Sequence, residues 1–329
     1  MQVIHFGSKG SNITQIDKIN RESYGMDIIR VDEPLNTENI ASSAGVEAIW
    51  LGPSSPVTAE TASALRKNGV KYIVSQSSGI DHIDLTGLRE NGIKASNVPA
   101  YSPNAISEFT VLFALSLLRK LKPTIRRADE NNFLLQGLMG RELCLMTVGI
   151  VGTGRIGTAT AKILHGFGCN ILAYSRRENP ELSNIVEYVS KEELFQRCDI
   201  LMFHCALTEE TRNMINVESI TKLKDGAYLI NTARGGLFDF AAVAEGLENG
   251  KIGGLAFDVY ENEYELLRKN PPGVKPDDPV FCKLLKMDNV VYAPHASFYT
   301  EFSVKTMMEV SLSNLYHYLT TGNSKNELT

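Results

Sequence analysis

The chain has 329 residues, 43% of them hydrophobic, and its 33 basic and 38 acidic residues give a formal net charge of −5. This length allows two domains with cores of their own. The mildly acidic balance gives no general electrostatic basis for binding nucleic acid or an anionic membrane. Five cysteines without a C-x-x-C pair predict reduced thiols and no metal site. The first residues, MQVIHFGSKG, predict a buried strand rather than a cleavable leader, and hence a cytoplasmic protein.

Short apolar runs alternate with helical segments along the chain, a pattern typical of parallel sheets covered by helices. A glycine-free segment from Pro103 to about Asn131 separates two such sheets and predicts a long helix, kinked or interrupted at Pro123. A last helix, from Glu301 to about Thr320, is expected to pack back on the first domain. The predicted strands are Val3–Phe6, Ala48–Leu51, Tyr72–Ser75, Val148–Val151, Ile171–Tyr174, Ile200–His204, Ala227–Asn231 and Val290–Ala293.

A glycine-rich motif follows the strand Val148–Val151 and precedes a helical segment, Thr158–Phe167. Gly152 permits a tight turn, Gly154 lets a pyrophosphate approach the backbone, and Gly157 lets helix and strand pack closely. The helix N-terminus then offers N–H groups and the positive end of its dipole to a phosphate. Strand, motif and helix in this order predict dinucleotide binding.

The next strand, Asn170–Tyr174, ends in Ser175-Arg176-Arg177 and carries no carboxylate at its tip. Enzymes that use NAD place Asp or Glu there to hold the ribose 2′-hydroxyl. A hydroxyl and two guanidinium groups favour a 2′-phosphate, so the sequence predicts NADPH, or at least its acceptance beside NADH. Two alternatives stay open: the arginines form an ordinary solvated turn, or Glu178 reaches the ribose.

Ionisable residues follow three further predicted strands: Arg234, then Asp258 and Glu263, then His295. Ligands bind at the carboxyl ends of strands in open α/β sheets, so these residues are expected to face one crevice. A histidine donates a proton to a ketone oxygen near neutral pH, and a carboxylate on its other nitrogen stabilises the imidazolium. An arginine binds a substrate carboxylate and polarises the carbonyl. Each residue alone has a structural explanation, but the set predicts carbonyl reduction.

With these motifs the chain resembles the D-isomer-specific 2-hydroxyacid dehydrogenase family, in particular its D-lactate dehydrogenase branch, near the D-2-hydroxyisocaproate and vancomycin-resistance enzymes. The similar stretches include SSGIDHID from Ser77, SNVPAYSPNAISEF, TVGIVGTGRIG, LINTARGGL, GGLAFDVYENE and VVYAPHASFYT. The resemblance implies an α/β fold of two Rossmann-like or flavodoxin-like domains with parallel sheets. Residues 1–100 with 300–329 would form a discontinuous substrate-binding domain, and residues 101–299 the dinucleotide-binding domain. It also implies a homodimer through the cofactor domains, using the helix after Pro103.

The resemblance further implies that Arg234 binds the substrate carboxylate and carbonyl, that His295 is the acid/base, and that Glu263 pairs with it. The implied substrate-binding residues are Ser78, Gly79, Tyr101, Phe298 and Tyr299. The implied cofactor-binding residues are Gly152, Gly154, Arg155, Ile156, Gly157, Ser175, Arg176, Arg177, His204, Cys205, Ala206, Thr232, Ala233 and Asp258, the last beside the nicotinamide carboxamide.

The expected reaction is reduction of pyruvate to D-lactate with NADPH or NADH. One alternative is a bulkier 2-oxo acid, as in D-2-hydroxyisocaproate or phenyllactate dehydrogenases. Another is a different reaction on the same fold, such as formate or phosphite oxidation. An alternative of another class is a dinucleotide-sensing binding protein of the corepressor kind.

Two departures from the family pattern bear on the pockets. His204-Cys205-Ala206 replaces the usual H-V-P beside the adenosine site. Gly52 stands where many D-lactate dehydrogenases carry an aromatic residue, which leaves room beside the substrate methyl group unless Trp50 or Tyr299 fills it.

Overall fold

The structure is a computed structural model that describes residues 1–261, 263 and 273–329. The chain forms two compact units. Unit 1 consists of Met1–Ser102 and Thr300–Thr329, and unit 2 of Pro103–Tyr299. Unit 1 is therefore discontinuous, because the last helix of the chain returns to it.

Unit 1 is built on a parallel sheet whose strand order is β2-β1-β3-β4-β5. Its strands are β1 (Gln2–Phe6), β2 (Asp27–Val31), β3 (Ala48–Leu51), β4 (Tyr72–Ser75) and β5 (Lys94–Ser96). Its helices are α1 (Ile13–Ser23), α2 (Ala59–Lys67), α3 (Leu85–Glu90) and, at the end of the chain, α11 (Glu301–Thr321). This strand order is that of flavodoxin-like folds.

Both faces of this sheet are buried, and successive residues of a strand point to opposite faces. Ile4 and Phe6 lie in the core that α2 covers, whereas Val3 lies in the core that α11 covers. On the α11 side, Trp50 of β3 stacks on His5 of β1 with ring centroids 4.1 Å apart. Burial on both faces explains why these strands read as continuous apolar runs.

Unit 2 is built on a second parallel sheet with seven strands among its described residues, in the order β12-β11-β10-β9-β6-β7-β8. The strands are β6 (Thr147–Val151), β7 (Asn170–Tyr174), β8 (Glu187–Tyr188), β9 (Ile200–Phe203), β10 (Ala227–Asn231), β11 (Ile252–Phe257) and β12 (Val290–Tyr292). The chain runs outward from β6 to β8 and then returns to the other side of β6 as β9. Ligands of such sheets bind at this switch point, beyond the carboxyl ends of β6 and β9. The predicted α/β class with two parallel sheets is confirmed.

The predicted long helix consists of two helices, and the position expected for its interruption was wrong. The chain breaks at Lys120, which has a left-handed backbone (φ +49°), between α4 (Pro103–Leu118) and α5 (Leu121–Asp129). Pro123 lies in the first turn of α5, where a missing N–H removes no helical hydrogen bond. The other helices of unit 2 are α6 (Arg155–Gly166), α7 (Lys191–Arg197), α8 (Val217–Lys222), α9 (Phe240–Glu248) and α10 (Pro279–Lys286). Among the described residues, none of the helices combines the length with the apolar character that a membrane-spanning segment needs.

The buried imidazole of His5 predicts a pH dependence of stability. Burial, and to a lesser extent the charge of Arg30, lowers the pKa of His5 from 6.5 to about 4. The unfolded chain therefore binds a proton between pH 6.5 and 4 that the folded chain does not, and the free energy of unfolding falls as the pH falls through that window. This one group accounts for a loss of about 3 kcal/mol by pH 4.

Denaturant unfolding between pH 7 and pH 4 measures the effect. His5→Phe keeps an aromatic ring against Trp50 and is expected to flatten the pH dependence. His82 and His204 also have pKa values lowered to about 4 by burial, so part of the slope remains. His317→Gln, at an exposed position of α11, is the control and should leave the slope unchanged. An equal slope in the His5→Phe variant would contradict the assignment.

Candidate active site

The glycine motif forms a turn that only glycine fits at two positions. Gly152 has a φ of +96°, and a Cβ there would lie 3.0 Å from the backbone nitrogen of Cys205. A Cβ on Gly157 would lie 2.0 Å from the carbonyl oxygen of Gly152. Gly154 faces open space, with no atom within 4 Å of its Cβ position. The turn thus brings α6 against β6 and leaves its outer side open.

The N-terminus of α6 has the properties of an anion site. Its N-cap is Gly154, so no side chain caps the first turn. The Ser107 hydroxyl of α4 donates to the carbonyl oxygen of Ile156 at 2.9 Å and fixes this turn from behind. An uncapped helix start beside a glycine turn presents N–H groups and a positive dipole end to a phosphate. These residues fit the pyrophosphate of a dinucleotide.

The Ser175-Arg176-Arg177 segment leaves β7 next to this turn. The N–H of Gly152 donates to the carbonyl oxygen of Tyr174 at 2.8 Å. Ser175 is half-buried, and both arginines are exposed. Burial raises the pKa of the Cys205 thiol to about 11, and a backbone hydrogen bond and the positive charge of Arg176 oppose that rise. Arg176 therefore acts electrostatically on the residue that packs against Gly152.

His204 stabilises the base of the same region. Its Nε2 lies 3.1 Å from the Thr160 hydroxyl of α6. That hydroxyl also donates to the carbonyl oxygen of Ile156 at 3.1 Å, so the histidine Nε2–H is the donor to it. Burial lowers the pKa of His204 to about 4, and the imidazole is neutral at physiological pH. His204 thereby joins the end of β9 to α6. The next residue, Cys205, packs against Gly152, and Ala206 is exposed.

Glu263 and His295 form a hydrogen-bonded pair at the carboxyl ends of β11 and β12. Nδ1 of His295 lies 2.5 Å from Oε1 of Glu263, and Oε2 accepts from the Tyr260 N–H at 3.3 Å. The His295 side chain is 35% exposed and that of Glu263 is 20% exposed. The carboxylate thus orients the ring through Nδ1, which leaves Nε2 as the nitrogen for proton transfer.

The backbone of His295 is left-handed, with φ +54°, which is costly for a residue with a side chain. Its N–H donates to the carbonyl oxygen of Asp258 at 2.8 Å. The Asp258 carboxylate accepts from the N–H groups of Ala296 at 2.7 Å and Ser297 at 3.1 Å. Asp258 is fully buried, and burial raises its pKa, although a hydrogen bond from the Ser297 side chain, the two backbone hydrogen bonds and the charge of His295 oppose the rise. Asp258 therefore fixes the turn that carries the histidine.

Arg234 lies on the loop after β10, and a buried asparagine sets the shape of that loop. Asn231, fully buried, donates from Nδ2 to the Arg234 carbonyl oxygen at 2.8 Å and accepts from the Ala233 N–H at 3.0 Å. Thr232 contacts the Thr110 hydroxyl of α4 at 2.9 Å. Asn231 was not predicted from the sequence. Its position as a polar residue at the end of a buried strand, three residues before Arg234, could have indicated its role.

A glycine brings the arginine loop against the loop that carries Glu263. A Cβ on Gly235 would lie 2.3 Å from the Glu261 nitrogen, so the two backbones touch. Arg212 forms an ion pair with Glu261 at 2.7 Å. Within unit 2, the backbone next to Arg234 thus touches the loop that carries Glu263, the partner of His295, while the Arg234 guanidinium donates to the Ala233 carbonyl oxygen at 2.8 Å.

Two predicted substrate residues of unit 1, Ser78 and Gly79, lie on a loop after β4 whose backbone is held by side chains. Asn97 donates from Nδ2 to the Ser78 carbonyl oxygen at 2.8 Å, and the Ser77 hydroxyl donates to the Gly79 carbonyl oxygen at 2.7 Å. Asn314 of α11, which is buried, donates to the carbonyl oxygen of Asn97 at 2.9 Å. The loop therefore has a fixed shape in the folded chain.

The remaining predicted pocket residues are aromatic. Phe298 lies near His295, with ring centroids 6.1 Å apart, and Tyr299 packs edge-on against Phe298 at 5.9 Å. Tyr299 is 69% exposed, and Tyr101 of unit 1 is half-buried. Gly52 has no atom within 4 Å of its Cβ position.

Comparison with known proteins decides the family. Residues 111–297 match the NAD-binding domain of the D-isomer specific 2-hydroxyacid dehydrogenases. The chain belongs to this family. The predicted family, the dehydrogenase class and the NAD-binding domain are thereby confirmed.

Individual relatives of this D-2-hydroxyacid dehydrogenase cover nearly its whole length. An aromatic 2-oxoacid reductase of Clostridium sporogenes is 38% identical over 307 residues, which are 93% of each chain. A D-lactate dehydrogenase of Lactiplantibacillus plantarum is 33% identical over 329 residues, which are 100% of this chain and 99% of that protein. A solved D-2-hydroxyisocaproate dehydrogenase superposes with a TM-score of 0.90 at 33% identity, over 100% of both chains.

The two helical glycines of α6 give a matched pair of variants. Gly157→Ala places a methyl group against the Gly152 carbonyl oxygen, so the turn must move. We expect a loss of about 1–3 kcal/mol of stability and a Kd for NADH raised about tenfold or more. Gly166→Ala adds the same methyl group in open space at the other end of α6. It should leave NADH binding unchanged and raise stability by about 0.5–1 kcal/mol. Fluorescence titration with NADH measures the Kd of both variants, and denaturant unfolding measures their stability. Normal NADH binding by Gly157→Ala would refute the role of the turn.

Proposed function

We propose that this dehydrogenase reduces a 2-oxo acid to the D-2-hydroxy acid with His295 as the proton donor. The observation that carries the proposal is the 2.5 Å contact between His295 Nδ1 and Glu263 Oε1. Bound NAD(P)H supplies the hydride that reaches the carbonyl carbon. His295 donates its Nε2 proton to the carbonyl oxygen, and Glu263 stabilises the imidazolium form before the transfer.

Arg234 is the proposed ligand of the substrate carboxylate, since its planar guanidinium matches a carboxylate bidentately and polarises the adjacent carbonyl. In unit 1, the substrate-binding unit of the proposal, the backbone N–H groups of Ser78 and Gly79 are the proposed substrate ligands. The fixed carbonyl groups of that loop support this role, because they orient the peptide planes before substrate arrives. Tyr101 of unit 1, and Phe298 and Tyr299 of unit 2, are further proposed substrate-binding side chains.

NADPH is the proposed preferred cofactor, with NADH accepted. Support comes from the two exposed guanidinium groups of Arg176 and Arg177 beside the glycine turn and from the half-buried hydroxyl of Ser175. The N–H groups of Arg155 and Ile156 would hold the pyrophosphate. The loop of Thr232 and Ala233 and the carboxylate of Asp258 would hold the nicotinamide end.

The shape of unit 1 favours the bulkier alternative over pyruvate. Trp50 does not fill the space at Gly52, because its ring is buried against His5 and no atom of it lies within 4 Å of the Gly52 Cβ position. The position of Gly52 is open within 4 Å. The similarity to an aromatic 2-oxoacid reductase points the same way, although a D-lactate dehydrogenase is also among the relatives. A 2-oxo acid with a branched or aromatic side chain is the proposed substrate.

A homodimer through unit 2 is part of the proposal. The predicted interface helix, α4, is largely buried within unit 2, where it packs on α6 and on β10 to β12. The segment after α5 instead carries exposed apolar side chains: Phe133 (76% exposed), Leu134 (68%), Leu135 (83%) and Met139 (88%). Apolar patches of this kind mark interaction surfaces. A second copy of this chain would cover these side chains. The cytoplasmic location of the protein stays a prediction.

Removal of the proton donor tests the reaction. His295→Gln is expected to lower kcat by about 100-fold or more, the usual size of a general acid effect, with little change in the KM for the cofactor. His317→Gln, an exposed histidine of unit 1, is the control. Near-normal kcat in His295→Gln would exclude it as the acid. If the native protein reduced none of a panel of 2-oxo acids, ranging in size from pyruvate to phenylpyruvate, with either cofactor, the proposed reaction would be wrong. The dinucleotide-sensing binding protein would then be the favoured alternative.

Filling the space at Gly52 tests the substrate class. Gly52→Tyr is expected to lower kcat/KM for phenylpyruvate relative to pyruvate by about 10- to 200-fold, the range that pocket volume controls. Gly52→Ala adds one methyl group and should leave the ratio nearly unchanged. A ratio that does not change in Gly52→Tyr would show that this position does not contact the substrate side chain.

Removal of one guanidinium tests the cofactor preference. Arg176→Ala is expected to raise the KM for NADPH about tenfold or more, the scale of a lost charge-assisted hydrogen bond, and to leave the KM for NADH nearly unchanged. Arg21→Ala, on the exposed surface of unit 1, controls for the loss of one positive charge. Equal effects on both cofactors would show that Arg176 does not read the 2′-phosphate.

A further inference from the structure

The segment from Ser175 to Glu178 is connected to the glycine turn by hydrogen bonds at its first and at its last residues. The residue that makes the second connection, Tyr188, lies outside the cofactor motif. At the near end, the Gly152 N–H donates to the Tyr174 carbonyl oxygen at 2.8 Å. At the far end the segment reaches Asn179, which begins a short 3-10 helix, Pro180–Leu182. Four residues therefore span the distance between two fixed points.

A tyrosine hydroxyl joins Asn179 to the glycine turn. The Asn179 N–H donates to the Tyr188 hydroxyl at 2.8 Å, and this hydroxyl donates to Oγ1 of Thr153 at 3.1 Å. Thr153 lies between the first two glycines of the turn and is 6% exposed. Tyr188 is the last residue of β8, an edge strand that pairs with β7.

A second connection runs through the side chain of Asn179. Its Nδ2 donates to the Thr158 hydroxyl at 2.9 Å, and that hydroxyl donates to the Thr153 carbonyl oxygen at 3.2 Å. Thr158 lies on α6 and is 9% exposed. Both connections of Asn179 thus end on the same residue of the turn.

These connections favour NADPH over NADH, an inference that rests on the proposed NADPH preference. An arginine that binds a 2′-phosphate must lie at a set distance from the site of the pyrophosphate, and ordering a mobile loop at the moment of binding costs affinity. A loop hydrogen-bonded to the turn at both ends avoids that cost. NADH has no 2′-phosphate, so its binding does not use the arginine and does not benefit.

We propose that Tyr188 is a positioning residue that sets the preference for NADPH by holding the Arg176 loop against the glycine turn. Its hydroxyl contributes no atom to the cofactor in this proposal. It acts on the loop backbone through Asn179, and on the turn through Thr153. Removal of this hydroxyl should therefore weaken NADPH binding selectively.

The test is a double-mutant cycle on the full chain with both cofactors. Tyr188→Phe is expected to raise the KM for NADPH about three- to tenfold, the size of one lost hydrogen bond, with kcat and the KM for NADH unchanged within about twofold. In the Arg176→Ala background, Tyr188→Phe should have no further effect on the KM for NADPH, because the group it positions is gone. Asn179→Ala breaks the second connection and should act in the same direction.

Tyr228→Phe is the matched control, since it removes a phenol hydroxyl from β10, which lies in the same sheet on the other side of β6 from β8. Equal changes in both KM values, no change in either, or additive effects in the Arg176→Ala background would each overturn the positioning role. The two proposals fail separately. If Arg176→Ala itself fails to discriminate between the cofactors, the NADPH preference is wrong; if it discriminates and Tyr188→Phe does not, only the role of Tyr188 is wrong.

Discussion

The buried carboxylate of Asp258 is the group on which the proposed catalytic arrangement of unit 2 depends. Two consecutive N–H groups, of Ala296 and Ser297, donate to its oxygens, and the Asp258 carbonyl oxygen accepts from the His295 N–H. A left-handed backbone at a histidine costs about 1–3 kcal/mol and persists only where its surroundings determine it. Hydrogen bonds to a buried charged group are among the strongest in proteins, so they offset this cost. The imidazole ring of His295 is thereby placed beside Glu263 before any ligand binds.

Buried amide side chains serve the same purpose elsewhere in the fold. Asn231 orders the loop of Arg234, and Asn97, itself bound by Asn314, orders the loop of Ser78. Each amide satisfies backbone groups at the carboxyl end of a strand, where regular sheet hydrogen bonding stops. Peptide groups on the two loops thereby acquire fixed directions without substrate. Contacts from side chain to backbone thus order these loops, in addition to the contact between the side chains of His295 and Glu263.

The sequence predicted those parts of the fold whose patterns are local. Strands buried on both faces, such as Ala48–Leu51, appear as apolar runs, and the glycine turn has a fixed spacing. The edge strand Asp27–Val31 gave no such pattern, because its side chains are partly exposed. The helix break at Lys120 depends on a backbone conformation that residue type does not signal. Likewise Tyr188 acquires its partners 9 and 35 residues away only in the folded sheet, so its place near the turn was not predictable.

The stack of Trp50 on His5 also gives unit 1 an optical signature of its own. Trp50 is the single tryptophan of the chain, and it is fully buried in the core between the sheet and α11. Its emission therefore reports on the packing of unit 1 alone, whereas far-ultraviolet circular dichroism reports on both units together. Coincident transitions by the two probes would mean that the units melt as one cooperative block, and separate transitions would give each unit a melting temperature of its own.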